Sequence, residues 1–131
     1  MNKEEFEEKS SLNLMKSSYG HLFIIENTLR KIINHKLSNT YGGNWIFFIR
    51  KKYKNNLTKK DIHQMYFHEM ISFILLIPEL KDDLGSLCDS LYKIIPIRNS
   101  IAHCILIDEQ EYCFLNSVSV KIQMTYNQVV L

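Results

Sequence analysis

The sequence predicts an all-α fold: a compact bundle of about five helices forming a single domain over residues 1–131. Three observations carry this. Apolar residues recur at three- and four-residue intervals over long stretches, as one face of a helix requires. Only two prolines and four glycines punctuate the chain, and no Ser-, Gly- or Pro-rich linker divides it. The one stretch that alternates as a strand would has no second stretch to pair with. With 131 residues, 46% of them hydrophobic, the chain is long enough to bury one core.

From Tyr19 to Leu37, the residues Leu22, Ile25, Leu29, Ile32, Ile33 and Leu37 mark one face of an amphipathic helix. Glu26 and Arg30, four apart in the favourable order, read as an ion pair on that helix's surface. The helix should close at Asn39-Thr40-Tyr41-Gly42-Gly43, where glycine adopts the left-handed conformation at little cost. Asn44 is placed to cap a short helix from Trp45 to Tyr53, whose Trp45, Phe47, Phe48 and Ile49 offer a large aromatic payload to the core.

Thr58-Lys59-Lys60-Asp61 has capping-box spacing, so the next helix is expected to start there. It runs through Met65, Phe67, Met70, Ile71, Phe73 and Ile74 to Ile77, apolar on nearly every side, which places it in the centre of the bundle. Pro78 stops it. From about Glu79 another helix carries Leu80, Leu84, Leu87, Leu91 and Ile94, weakened at Gly85, until Pro96 breaks or restarts it. After Asp108, Val118, Val120, Ile122 and Met124 alternate like a strand, whereas Tyr112, Leu115, Val118 and Ile122 fit a helix. The missing strand partner favours a final helix.

A net charge of +2 does not by itself indicate nucleic acid, but its distribution is lopsided. Glu4, Glu5, Glu7 and Glu8 make the N-terminus acidic, while Arg50, Lys51, Lys52, Lys54, Lys59 and Lys60 crowd one short segment. Cys88, Cys104 and Cys113 form an odd set without a C-x-x-C pair, which speaks for reduced thiols and a cytoplasmic location. No cofactor or metal site is expected. His63 and His68 are five apart, and His68-Glu69 lacks the second histidine of a metalloprotease helix. An acidic, polar N-terminus and the lack of a long apolar run speak against a signal peptide and a membrane partner.

The run Arg98-Asn99-Ser100-Ile101-Ala102-His103 is the chemistry-bearing motif. Pro96 suits the first turn of a new helix, which would turn the amides of Ile97, Arg98 and Asn99 outward at a positive dipole end fit for phosphate. Asn99 and His103, four apart, share a helix face, and Arg98 must use its length to converge on them.

Arg98, Asn99 and His103 match, residue by residue, the motif of nuclease members of the HEPN superfamily (higher eukaryotes and prokaryotes nucleotide-binding), and the chain resembles those small helical domains over most of its length. Ile25-Glu26-Asn27-Thr28-Leu29-Arg30 is similar to the Glu-x-x-Leu-Arg helix of one branch, and Tyr41-Gly42-Gly43-Asn44-Trp45 to its Tyr-Gly-x-x-Trp turn. Met65-Tyr66-Phe67-His68-Glu69-Met70-Ile71 resembles the aromatic-led helix midway along those domains. Many members carry a tyrosine two positions after the histidine as a target for nucleotide modification. Ile105 stands there instead.

The resemblance implies metal-independent cleavage of RNA. His103 would take the ribose 2′-hydroxyl proton, Arg98 would hold the charged phosphorane, and Asn99 would orient phosphate or ribose. One copy supplies one His and one Arg, whereas HEPN nucleases generally pair with two such motifs facing each other, so the resemblance also implies a homodimer with a composite site. It further implies a toxin-like or antiviral-defence effector, with an antitoxin or regulatory protein among its partners. Glu26 and Arg30 stand as second-rank site residues, and Arg50, Lys51, Lys52 and Lys54 as RNA-binding residues. The alternative is a non-catalytic helical dimer that binds nucleotide or a partner protein.

Overall fold

Asn2 opens the first helix: its side-chain oxygen accepts the Glu5 amide at 2.8 Å, and Glu4 and Glu5 occupy the first turn, where the helix dipole favours negative charge. In the computed structural model, which describes residues 1–53 and 60–131, this helix, α1 (Lys3–Tyr41), begins well before the apolar periodicity does. Its fully buried residues start only at Ser18, so the first turns carry no core-facing stripe for a sequence to reveal. Gly42 closes α1 with φ 85°, its N–H donating to the Ser38 carbonyl at 2.8 Å, as the glycine pair predicts.

α2 (Trp45–Lys52) buries Trp45 and Ile49, one turn apart. Trp45 Nε1 donates to Asn34 Oδ1 at 2.9 Å, and the indole meets Phe73 with ring centroids 6.1 Å apart. Asn44 holds the N-cap position, but its side chain makes no capping bond. Phe47 and Phe48 do not enter the core: they are 64% and 50% exposed. A helix anchored through Trp45 and Ile49 must turn Phe47 to the far side and Phe48 to the flank.

The capping box expected at Thr58-Lys59-Lys60-Asp61 lies partly outside the described residues. Asp61 itself is extended and leads into a 3-10 turn, Ile62–Gln64, and the central helix, α3 (Phe67–Leu76), begins only at Phe67. Arg30 accounts for the delay. Its guanidinium reaches from α1 to the carbonyls of Ile62 (3.3 Å) and Met65 (3.1 Å), holding this stretch out of helical geometry. Glu69 then accepts the Tyr66 amide at 3.0 Å and so starts α3. Phe67, Met70, Ile71, Phe73 and Ile74 are buried, which puts α3 at the centre as its apolar sequence demands.

Ile77 is extended, as a residue before proline prefers to be, and Pro78 becomes the first residue of α4 (Pro78–Leu84). A 3-10 turn at Gly85–Leu87 separates α4 from α5 (Cys88–Ala102) at the weak helix former Gly85. With α4 and α5 counted as one interrupted helix, the described residues form five helical segments. Pro96 neither ends nor starts a helix; it lies inside α5. An interior proline costs about 3 kcal/mol. Ile97 and Ile101 beyond it are buried, at roughly 1.5–3 kcal/mol each, so continuing the helix wins.

α6 (Glu109–Val129) starts from a capping box in which Asp108 Oδ1 accepts the Glu111 amide at 2.7 Å and Glu111 Oε1 accepts the Asp108 amide at 3.1 Å. It buries Leu115, Val118, Ser119 and Ile122, in agreement with the helical reading of this stretch. Tyr112 meets Ser17 near one end, and Thr125 and Gln128 share a cleft with Lys36 further on, so α6 runs parallel to α1. At the far end of α1, Tyr41 donates to Glu79 Oε1 at 2.5 Å and ties α1 to α4. Among the described residues there is no strand, and no helix is long and apolar enough to cross a membrane.

Candidate functional site

The Arg98–His103 run occupies the last turn of α5. His103 caps the helix at φ −94°, ψ 11°, and Cys104 follows in the left-handed region at φ 58°. The Ile105 amide then donates to the Ser100 carbonyl at 2.8 Å and the Cys104 amide to the Ile101 carbonyl at 3.1 Å, a complete Schellman closure built without glycine. This sharp end leaves His103 exposed. Because Pro96 lies within α5, the amides of Ile97, Arg98 and Asn99 belong to the helix interior. The phosphate cradle expected at a new helix start is therefore absent.

Arg98 reaches across to α1, and its Nε donates to Glu26 Oε1 at 2.5 Å. Glu26 therefore pairs with Arg98 rather than with Arg30, correcting the expected i, i+4 pair. Arg30 is spent on the Ile62 and Met65 carbonyls and on Asn27 Oδ1 at 3.5 Å, which makes it a strut of the fold. Side-chain exposure is 15% for Glu26 and 32% for Arg98, so the pair is largely but not fully desolvated. The two terminal nitrogens of Arg98 make no hydrogen bond among the described residues, leaving a fork that can take two oxygens of a phosphate.

The pair sits in an open cleft of about 360 Å³ lined by Glu26, Asn27 and Arg98 together with Tyr19, Phe23 and Ile101. A larger, mostly apolar cleft of about 570 Å³ adjoins it and shares Tyr19 and Ile101; Leu12, Met15, Cys104 and Leu106 complete its main lining. His103 lies between Ala102, which lines the first cleft, and Cys104, which lines the second. Asn99 and His103 themselves are exposed and outside both linings. The structure thus brings Arg98 and Glu26 together, leaves Asn99 outside both clefts and leaves His103 exposed between residues that line them. Tyr19 (60% exposed) and Phe23 (58%) were missed by sequence reading because helical periodicity marks only the buried face.

Elsewhere, Tyr112 Oη lies 2.8 Å from Ser17 Oγ and 3.3 Å from His21 Nε2, a polar seam between α1 and α6. Its only sequence signal is the four-residue spacing of Ser17 and His21. Arg50, Lys51 and Lys52 are exposed at the C-terminal turn of α2, beside the Tyr41 end of α1. Glu26 and Tyr41 are separated by about 22 Å of helix axis, so these cations do not line the cleft. Lys54 lies outside the described residues. All three cysteines are free, and burial pushes the Cys88 thiol up from its ordinary value. Among the described residues, no group of three or more His, Cys, Asp or Glu side chains could hold a metal ion.

Comparison of the chain with protein-family models, with curated proteins and with solved structures finds no match in any of the three.

Proposed function

We propose that this chain is a metal-independent endoribonuclease of the HEPN type, acting as a homodimer in which two Arg98–His103 ends share one cleft. The observation that carries this reading is the Arg98 guanidinium, oriented through its Nε by Glu26 in an open cleft, with its terminal nitrogens unengaged and His103 exposed. In the proposed reaction one His103 imidazole removes the ribose 2′-hydroxyl proton and that oxygen attacks the adjacent phosphorus. Arg98 neutralises the oxygens of the five-coordinate phosphorane. The bond to the 5′-oxygen breaks as that oxygen takes a proton from the partner's His103, leaving a 2′,3′-cyclic phosphate and a free 5′-hydroxyl.

Support for pairing comes from the surface around the site. Leu12, Tyr19, Phe23, Ile105 and Leu106 are each more than half exposed; Leu12, Tyr19 and Leu106 line the apolar cleft, and Tyr19 and Phe23 line the Arg98 cleft that shares Tyr19 and Ile101 with it. Monomers rarely leave so continuous an apolar patch in water. Docking a second copy there would cover it and set two histidines and two arginines at one site. A toxin-like or antiviral-defence role, and an antitoxin or regulatory partner, extend this reading by resemblance alone.

The test is cleavage of RNA by the purified chain in chelator at neutral pH. Cyclic phosphate ends should form with the parent, while His103→Ala loses at least 100-fold, the usual contribution of general acid–base catalysis. Intact RNA, or equal cleavage by His103→Ala, would falsify the assignment. The second reading, a non-catalytic helical dimer binding nucleotide or a partner protein, is favoured by one observation: the Nε of Arg98 is already occupied by Glu26. It predicts nucleotide binding that needs Arg98, with no cleavage.

A further inference from the structure

We propose that the outer face of α2 is a stacking platform for single-stranded nucleic acid, and that it holds the RNA whose cleavage is assigned to the Arg98 cleft. The second half of this statement rests on the nuclease reading; the first half stands without it. Phe47 and Phe48 are neighbours in sequence, 64% and 50% exposed, with ring centroids 5.9 Å apart and planes at 81°. They do nothing for the core, since α2 is anchored through Trp45 and Ile49. Two adjacent phenylalanines kept in water incur a solvation cost with no return in packing.

The charges beside them point to the occupant. At 100° per residue, Lys51 falls between the two rings on the helix surface, about 40° from Phe47 and about 60° from Phe48. Lys52 flanks Phe48, and Arg50 lies on the side of Phe47. The Lys52 ammonium also sits 5.6 Å from the centroid of the Tyr53 ring. Cations in a last helical turn are sufficiently explained by the helix dipole, but exposed aromatics among them are not. Rings interleaved with cations suit a polyanion that carries π-faces, which is a nucleic acid strand.

Strandedness follows from ring geometry. Planes at 81° cannot both continue one base stack, so each ring takes a separate, splayed base, which a duplex does not offer. A membrane surface fits less well. An interfacial helix keeps its cations opposite a full apolar stripe, whereas Lys51 would be carried into the acyl region between the two rings.

The experiment measures binding with the His103→Ala chain, so that cleavage cannot consume the probe. Fluorescence polarisation compares a labelled oligouridine with a blunt RNA duplex and with inorganic polyphosphate. Flotation of phosphatidylserine-containing vesicles runs alongside. The expected result is preference for oligouridine over duplex and polyphosphate. Phe47→Ala and Phe48→Ala should each weaken oligouridine binding by about 5- to 100-fold while polyphosphate binding is unchanged, and Lys51→Glu should weaken both. Phe47→Leu keeps apolar bulk without the ring and should behave like the alanine variant; unchanged thermal unfolding confirms that the fold is intact.

The proposal is overturned if the aromatic variants bind oligouridine as the parent does, if polyphosphate binds equally well, or if the rings drive vesicle binding while oligouridine is ignored. Failure of the nuclease reading is separately visible. Loss of His103-dependent cleavage leaves this binding result standing, and cleavage without aromatic-dependent binding removes the platform alone.

Discussion

The Glu26–Arg98 pair predicts an asymmetric response to truncation. Arg98→Ala leaves the Glu26 carboxylate, only 15% exposed, without the one hydrogen-bond partner it has among the described residues, at 2.5 Å. An under-satisfied buried acceptor costs about 1–3 kcal/mol, and the upper half of that range applies where a charge is retained. Glu26→Ala leaves Arg98, 32% exposed on a long flexible stem, free to turn its head into water, so the loss should resemble that of a surface pair, about 0–1 kcal/mol. The double variant should recover most of the Arg98→Ala loss, with a coupling energy of about 2 kcal/mol. Urea unfolding followed by far-ultraviolet circular dichroism measures all four corners of the cycle. Protein concentration must be held constant, because a dimer's stability depends on it. In a thermal scan the Arg98→Ala loss should read as a drop of several degrees. A Glu26→Ala cost equal to that of Arg98→Ala, or a coupling within about 0.3 kcal/mol of zero, would refute this asymmetry.

Cys104 holds φ 58° in the position a Schellman closure reserves for glycine, so Cys104→Gly should stabilise the fold by about 0.5–1 kcal/mol, the left-handed penalty less glycine's greater unfolded-state freedom; a destabilised variant in chemical unfolding refutes this. The Tyr41 hydroxyl, held by Glu79, is pushed up to about 12, while the same bond holds the Glu79 carboxyl below its usual range. Tyr41 therefore contributes stability that is full below the unfolded phenol value of 10.0 and is lost as pH rises through about 12; Glu79 contributes stability present above the ordinary carboxylate range and lost as pH falls through its lowered value. Tyr41→Phe should cost about 1–3 kcal/mol at neutral pH, since Glu79 Oε2 is already buried without a partner among the described residues. The gap from the parent should narrow between pH 10 and 12, and a gap that stays constant in melting temperature against pH refutes the linkage.

The helical class, the central place of α3, the glycine closure of α1 and the helix after Asp108 were all readable, because each leaves a local mark: a 3.6-residue period, a glycine at positive φ, a capping Asp three residues before Glu111. Three elements left no such mark. The first turns of α1 have no buried face, so there the helix is held by Asn2, by its acidic first turn and by continuity with the packed part from Ser18 onward. Pro96 reads locally as a break, yet the burial of Ile97 and Ile101 outweighs it, and that burial depends on what lies opposite. Phe47 and Phe48 look like core residues until Trp45 and Ile49 take the inner face of a two-turn helix.

The same division holds at the candidate site. Sequence alone determined which groups are available, an arginine and a histidine five positions apart at the end of an apolar helix, because residue identity and helical spacing are local properties. Only the tertiary structure decided their company. Arg98 meets Glu26 from a helix 72 residues away in sequence, Arg30 is taken by the chain leading into α3, and the Schellman turn at Cys104 leaves His103 exposed between residues that line two joined clefts. Which of two acids or two cations becomes a partner depends on the packing of whole helices, and the period of one helix carries no information about the element that will cover it.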